Sequence, residues 1–80
     1  MKTKEQLLLE IRGELKFKAG DTVKVKGAVY ETPYDLEGAI LEDEIEATVF
    51  DLIVPGYWPY EITVGEVSFF APEESLKEVN

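Results

Sequence analysis

The chain has 80 residues, contains neither cysteine nor histidine, and carries a net charge of −9. A chain of this length is expected to form one small domain, and its composition excludes disulfides, zinc–thiolate sites and iron–sulfur ligation by its own side chains. Ten acidic residues and one lysine lie in residues 39–80, and this charge disfavours nucleic-acid binding, because affinity for phosphates comes mostly from lysine and arginine.

The apolar segments of the sequence are short. None approaches the roughly 20 residues that a membrane-spanning helix needs, and the leucines at 7–9 are followed at once by Glu10. We therefore predict no membrane span and no signal peptide. Together with the lack of cysteine, this predicts a cytoplasmic protein in a reducing compartment.

The first predicted element is a short amphipathic helix from Thr3 to Arg12. Thr3 and Gln6 have the spacing of a capping box, and Gly13 is placed to end the helix. A strand from Leu7 to Arg12 is the alternative. Residues 1–16 are accordingly predicted to be an N-terminal helical extension, and residues 17–80 the main domain.

An alternating strand is predicted after a turn at Gly20-Asp21. Val23, Val25 and Val29 share one parity and are expected to face a core, whereas the lysines between them face water. The following residues 30–38 have no clean period and contain a proline, two tyrosines and three acids. They are predicted to form a long loop, a usual place for a binding surface on a small β fold.

The second half of the chain predicts further short strands separated by tight turns. Glu42-Asp43-Glu44 is interpreted as a charged hairpin tip. The alternation of the strand that follows slips at Phe50, which indicates a bulge or a sharp bend. Turn signals stand at Pro55-Gly56 and Gly65-Glu66. The later elements are strands at Tyr60–Val64 and Val67–Phe70, a helical turn at Pro72–Ser75 and a closing strand at Leu76–Val79.

This order of elements predicts a mainly β protein, namely a small SH3-like five-stranded barrel with a short N-terminal helix. An OB-type barrel is the main alternative, and it usually has a helix between its third and fourth strands. The short segment from Pro55 to Pro59 has no room for such a helix.

The sequence predicts no active site, metal site or cofactor. The acids at residues 42–46 lack the Asp-x-Asp-x-Asp-Gly spacing that wraps oxygen atoms around calcium, so they are interpreted as a solvated charged segment. No nucleophile has a neighbouring base that would activate it. We therefore predict that the chain is not an enzyme by itself.

The aromatic residues are the best candidates for function. Two groups of them, one in the long loop and one around Pro59, are expected to meet at one end of an SH3-like sheet. They form either the centre of a permanent subunit interface or a groove for a proline-rich peptide with a basic anchor. Phe50, Phe69 and Phe70 are expected to cover the core. The predicted partner-binding residues are Tyr30, Tyr34, Asp35, Tyr57, Trp58 and Tyr60.

A third function is a free-standing regulatory protein, which would use either the aromatic residues Tyr34 and Trp58 or the N-terminal helix. In the latter case Leu7, Leu8 and Ile11 contact a partner instead of the β domain.

Over most of residues 20–79, the order of several short motifs resembles the variable (alpha) chain of ferredoxin–thioredoxin reductase. The motifs are Val23-Lys24-Val25-Lys26, Val29-Tyr30-Glu31-Thr32-Pro33, Asp35-Leu36-Glu37-Gly38, Pro59-Tyr60-Glu61-Ile62 and Phe69-Phe70-Ala71. The resemblance implies a non-catalytic SH3-like subunit without a cofactor. It also implies a protein partner, a cysteine-rich catalytic chain with a four-iron four-sulfur cluster that reduces thioredoxin. The expected setting is photosynthesis-related redox chemistry in a cyanobacterial cytosol or plastid stroma.

Overall fold

The structure is a computed structural model that describes residues 1–79, so Asn80, the last residue of the predicted main domain, lies outside the described residues. The elements follow in the order predicted from the sequence. They are α1 (Lys4–Arg12), β1 (Thr22–Val29), β2 (Ala39–Leu52), β3 (Tyr60–Val64), β4 (Val67–Ala71), the 3₁₀ turn η1 (Glu73–Ser75) and β5 (Leu76–Glu78).

Helix α1 forms because both of its ends are capped. The hydroxyl of Thr3 accepts a hydrogen bond from the backbone N–H of Gln6 at 3.2 Å, and the Gln6 side chain accepts one from the backbone N–H of Thr3 at 2.9 Å. Gly13 ends the helix with a φ of 75°, a conformation that favours glycine. The helix prediction is confirmed, and the alternative strand from residue 7 is wrong.

The five strands form one antiparallel sheet in the order β4-β3-β2-β1-β5. In the described part of the chain β4 and β5 are the two edges, so the sheet is not closed. Just beyond β1, however, Tyr30 and Phe70 exchange two backbone hydrogen bonds of 2.8 and 2.7 Å. The chain after β1 is therefore attached to the edge strand β4, and this attachment holds the beginning of the long loop in place.

The core lies on one face of this sheet. Val23, Val25 and Val29 are buried, as their shared parity predicts, and Val49 and Ile62 pack with them from the two following strands. These alternating positions place the apolar side chains on one side of each strand. The prediction of a mainly β fold with five antiparallel strands and one short helix is confirmed.

The predicted hairpin tip at Glu42-Asp43-Glu44 is wrong, because β2 continues through these residues. Val25 pairs with Ile45 and Gly27 pairs with Leu41, so the three acids stand opposite a single residue of β1. They form a bulge, which adds residues to one strand without reversing the chain. Lysines on the neighbouring strands balance part of this charge, as Lys77 Nζ lies 3.1 Å from Glu44.

A second irregularity interrupts the pairing of β2 with β3 between Val49 and Asp51, which confirms the bulge predicted at Phe50. The expectation that Phe50 covers the core is wrong, because its side chain is 63% exposed. Ala47 and Val49 are buried and Thr48 is exposed, so the alternation of the strand already directs the Phe50 side chain to the exposed face. Phe69 and Phe70 are half-buried, and Phe69 packs against the core.

Residues 1–79, the part of the chain that the structure describes, contain neither a membrane-spanning helix nor a cluster of metal ligands. None of their helices has the length and apolar character required to cross a bilayer. No group of three or more Asp or Glu side chains in this part of the chain is arranged to hold a metal ion.

Candidate functional site

Two segments of the chain, residues 30–38 and residues 53–59, meet at the beginning of β3. The backbone N–H of Tyr57 donates to the carbonyl oxygen of Pro33 at 2.6 Å. The indole N–H of Trp58 donates to the carbonyl oxygen of Asp35 at 2.7 Å. The structure thus brings together the two groups of aromatic residues that the sequence singled out.

The centre of this region is a stacked aromatic pair. The rings of Tyr30 and Trp58 have centroids 4.0 Å apart and planes inclined by 11°. Tyr57 approaches the indole from another side, with 6.1 Å between centroids and an angle of 57°. Because one indole face is covered and its N–H is bonded, Trp58 is fixed in position.

The long loop is held in shape by its own polar groups. A carboxylate oxygen of Asp35 accepts from the backbone N–H of Thr32 at 3.1 Å, and the Thr32 hydroxyl accepts from the backbone N–H of Tyr34 at 3.2 Å. Such side-chain bonds to nearby backbone stabilise turns. Asp35 therefore orders the loop from within.

Two glycines allow the segments to approach closely. A Cβ atom at Gly56, whose φ is +93°, would collide with Pro33, and one at Gly38 would collide with the Val29 carbonyl oxygen and the Tyr30 ring. The two segments can therefore pack this closely only because both positions are glycines.

Tyr34 and Tyr57 remain open to solvent, with 60% and 54% of their surface exposed. Together with the half-buried Tyr30 and Trp58 they form what we call the aromatic surface. A cleft of about 190 Å³ lies beside it, and its lining includes Tyr30, Phe69 and the acidic residues Glu31, Asp35 and Glu37. The site therefore combines fixed aromatic rings with negative charge.

Tyr60 does not belong to this surface, and its predicted role in partner binding is corrected. Its side chain has 0% exposure, and its ring meets the ring of Phe17 edge-on at 5.9 Å. The Tyr60 hydroxyl donates to Glu73 Oε1 at 2.7 Å and accepts from the backbone N–H of Phe17 at 3.2 Å. Burial, assisted by the nearby Glu73 carboxylate, raises the pKa of Tyr60 to about 12. The residue stabilises the core because β3 turns it inward.

Arg12 is the residue that the sequence interpretation missed. Its Nε donates to the carbonyl oxygen of Ile53 at 3.1 Å. Its Nη2 lies 2.8, 3.3 and 2.9 Å from the carbonyl oxygens of Val54, Pro55 and Gly56. Partial burial lowers the pKa of Arg12. The available signal was its position four residues after Leu8, on the helix face that packs against the sheet.

No protein-family model, curated protein or solved structure matches this chain.

Proposed function

We propose that this chain is a non-catalytic SH3-like subunit that binds a separate protein through the aromatic surface. The observation that carries the proposal is the fixed Tyr30–Trp58 stack with the exposed Tyr57 beside the indole. Tyrosine and tryptophan dominate the binding energy of many interfaces, and rings that are already held in place lose little entropy on binding.

The proposed SH3-like barrel is supported by the strand order and by the bridge between Tyr30 and Phe70. That bridge connects the chain after β1 to the edge strand β4, as expected for a strongly bent sheet that approaches closure. The same bridge fixes the backbone of Tyr30, which belongs to the aromatic surface.

A permanent interface accounts for Trp58 better than a groove for proline-rich peptides does. A peptide groove needs an aromatic face and a free indole donor, because a polyproline-type ligand offers apolar rings and unpaired carbonyl groups. Here Tyr30 covers one face of Trp58, and the Asp35 carbonyl occupies its N–H. A peptide-binding adaptor is therefore the second candidate.

The proposed partner is a cysteine-rich iron–sulfur catalytic chain, as the resemblance to the ferredoxin–thioredoxin reductase variable chain implies. In this proposal our chain contributes no cofactor and works in the cytoplasm. The acids lining the cleft beside Tyr30 favour a partner surface that presents lysine or arginine next to its apolar centre.

The test is binding to the purified catalytic chain of ferredoxin–thioredoxin reductase with its cluster assembled, measured by calorimetry and by the mass of the complex. We expect a complex with one copy of each chain. Tyr34→Ala and Tyr57→Ala are each expected to weaken binding about tenfold or more, the usual effect of removing a central aromatic side chain.

Val67→Ala is the matched control. Val67 is 53% exposed and pairs with Val64 at the turn of the β3–β4 hairpin, whereas Tyr60 pairs with Ala71 at the end next to the aromatic surface. This control should bind normally. If wild type forms no complex, or if a Pro-x-x-Pro-Arg peptide instead shifts the Trp58 signals saturably, the subunit proposal is wrong.

A further inference from the structure

We propose that Arg12 positions the aromatic surface, so that helix α1 must be packed on the sheet for the partner to bind with full affinity. This inference rests on the proposed function. Arg12 acts through the carbonyl oxygens of residues 53–56, which we call the carbonyl cluster.

The carbonyl cluster is built around the guanidinium group. Four successive carbonyl oxygens lie between 2.8 and 3.3 Å from Arg12 nitrogens. Four consecutive carbonyls converge on one point only if the backbone curves around it, as it does here through the Pro55-Gly56 bend. A planar, permanently charged fork with several donors suits such an acceptor set, whereas the ammonium of lysine is a single point of charge.

The carbonyl cluster continues directly into the aromatic surface. Its last residue, Gly56, lies against Pro33, and the next residue, Tyr57, bonds to the carbonyl oxygen of Pro33. The backbone N–H of Ile53 donates to the carbonyl oxygen of Pro59 at 2.7 Å, which closes the segment into a compact loop. A change in the curvature of residues 53–56 must therefore move Tyr57 and the Trp58 ring that follows.

Three residues of α1, spaced four apart, attach the helix to the rest of the domain. Lys4 Nζ lies 2.7 Å from Asp51, Leu8 is buried, and Arg12 bonds to the carbonyl cluster. Since α1 has nine residues, it is too short to be stable by itself. Packing of the helix and shaping of the aromatic loop are therefore linked through Arg12.

The experiment compares Arg12→Ala and Arg12→Lys with Lys4→Ala, which removes the other polar attachment of α1 without touching residues 53–56. The chain has one tryptophan, so its indole N–H gives one NMR signal that reports on the bond to Asp35. We expect both Arg12 variants to shift this signal and to weaken binding of the iron–sulfur catalytic chain. For Arg12→Ala the loss should be about tenfold or more.

Chemical rescue separates positioning from a general loss of stability. Guanidinium chloride at a sub-denaturing concentration is expected to return the indole signal of Arg12→Ala toward its wild-type position. Methylammonium at the same concentration should not, because it lacks the planar fork. Arg12→Lys keeps the charge and most of the side chain, so it provides the test if Arg12→Ala does not fold.

Three results would overturn the inference. They are an unchanged indole signal in the Arg12 variants, an equal shift in Lys4→Ala, and normal partner binding by a variant whose indole signal has moved. Failure of wild type to bind the catalytic chain is a different result, because it overturns the proposed function. The indole signal would still show whether Arg12 positions Trp58.

Discussion

Glu73 connects three parts of the chain through one carboxylate oxygen. That oxygen accepts hydrogen bonds of 2.7 Å from the backbone N–H of Lys16 and from the Tyr60 hydroxyl. The Tyr60 hydroxyl in turn accepts from the backbone N–H of Phe17. The segment between α1 and β1 is thus attached to β3 and to the 3₁₀ turn.

Replacing this carboxylate should change both stability and its pH dependence. The N–H of Lys16, followed by the Tyr60 hydroxyl, lowers the pKa of Glu73. The stabilisation is therefore complete above the unfolded-state pKa of about 4.3 and is lost as the pH falls through the lower folded-state value. We expect Glu73→Gln to cost about 1–2 kcal/mol at neutral pH and to reduce the loss of stability on acidification, measured by urea unfolding.

Glu74→Gln is the matched control for this prediction, because Glu74 is the next residue and is exposed. It should remain within about 0.5 kcal/mol of wild type, as most surface substitutions do. Equal effects of the two substitutions would show that general charge on the turn matters, and that the Glu73 hydrogen bonds do not.

Gly56 gives a second prediction for a single residue. Gly20 and Gly56 have similar φ angles of +97° and +93°, but a Cβ at Gly20 meets nothing within 4 Å, whereas one at Gly56 meets Pro33. Both alanine variants incur a cost of about 1–2 kcal/mol for the left-handed backbone. Gly56→Ala should lose about 1–3 kcal/mol more by overpacking, and it should alter Trp58 fluorescence. Equal unfolding free energies would contradict the close packing of the two loops.

Among the elements, those with strong local signals were predicted from the sequence. The capping box of Thr3 and Gln6 and the alternating valines of β1 specify a helix and a half-buried strand by local chemistry alone. Glu42-Asp43-Glu44 was misread because a run of charges is typical of a hairpin tip. Its bulged conformation is set by the pairing of β2 with β1, whose residues are distant in sequence.

The face that α1 packs against the sheet can be tested with adjacent leucines. Leu8 is 8% exposed, whereas Leu9 is 63% exposed. Leu8→Ala removes buried apolar contacts and should cost about 2 kcal/mol or more, while Leu9→Ala should cost less than about 0.5 kcal/mol. Urea unfolding followed by circular dichroism measures both. A larger effect of Leu9→Ala would indicate that α1 packs through another face, as the regulator interpretation of its leucines requires.

At the scale of the whole molecule, the meeting of the two aromatic segments was predicted, because the strand order of a small bent sheet brings the loop after β1 close to the beginning of β3. The contribution of Arg12 was not predicted, because its spacing from Leu8 indicates only a shared helix face. The bonds from its side chain to four carbonyl oxygens depend on the tertiary structure. The burial of Tyr60 was missed because it was grouped with the aromatic residues around Pro59, although it shares the apolar face of β3 with Ile62 and Val64.

The excess of seventeen acids over eight basic residues should make stability depend on salt. The ion pairs of the described residues are exposed, and such pairs contribute at most about 1 kcal/mol each. Repulsion among the acids is distributed over the whole surface and is screened as the Debye length falls from about 30 Å to about 8 Å. Between roughly 10 mM and 150 mM sodium chloride we therefore expect the melting temperature to rise by about 2–6 °C.

The double variant Glu42→Gln/Asp43→Asn tests whether this repulsion is the cause. Both side chains are exposed in the bulge of β2, and neither is one of the acids that form the ion pairs. Removing two negative charges should raise the melting temperature at low salt and make its salt dependence shallower. A melting temperature that falls as salt is added would mean that attraction within the ion pairs outweighs repulsion among the acids, which would contradict this prediction.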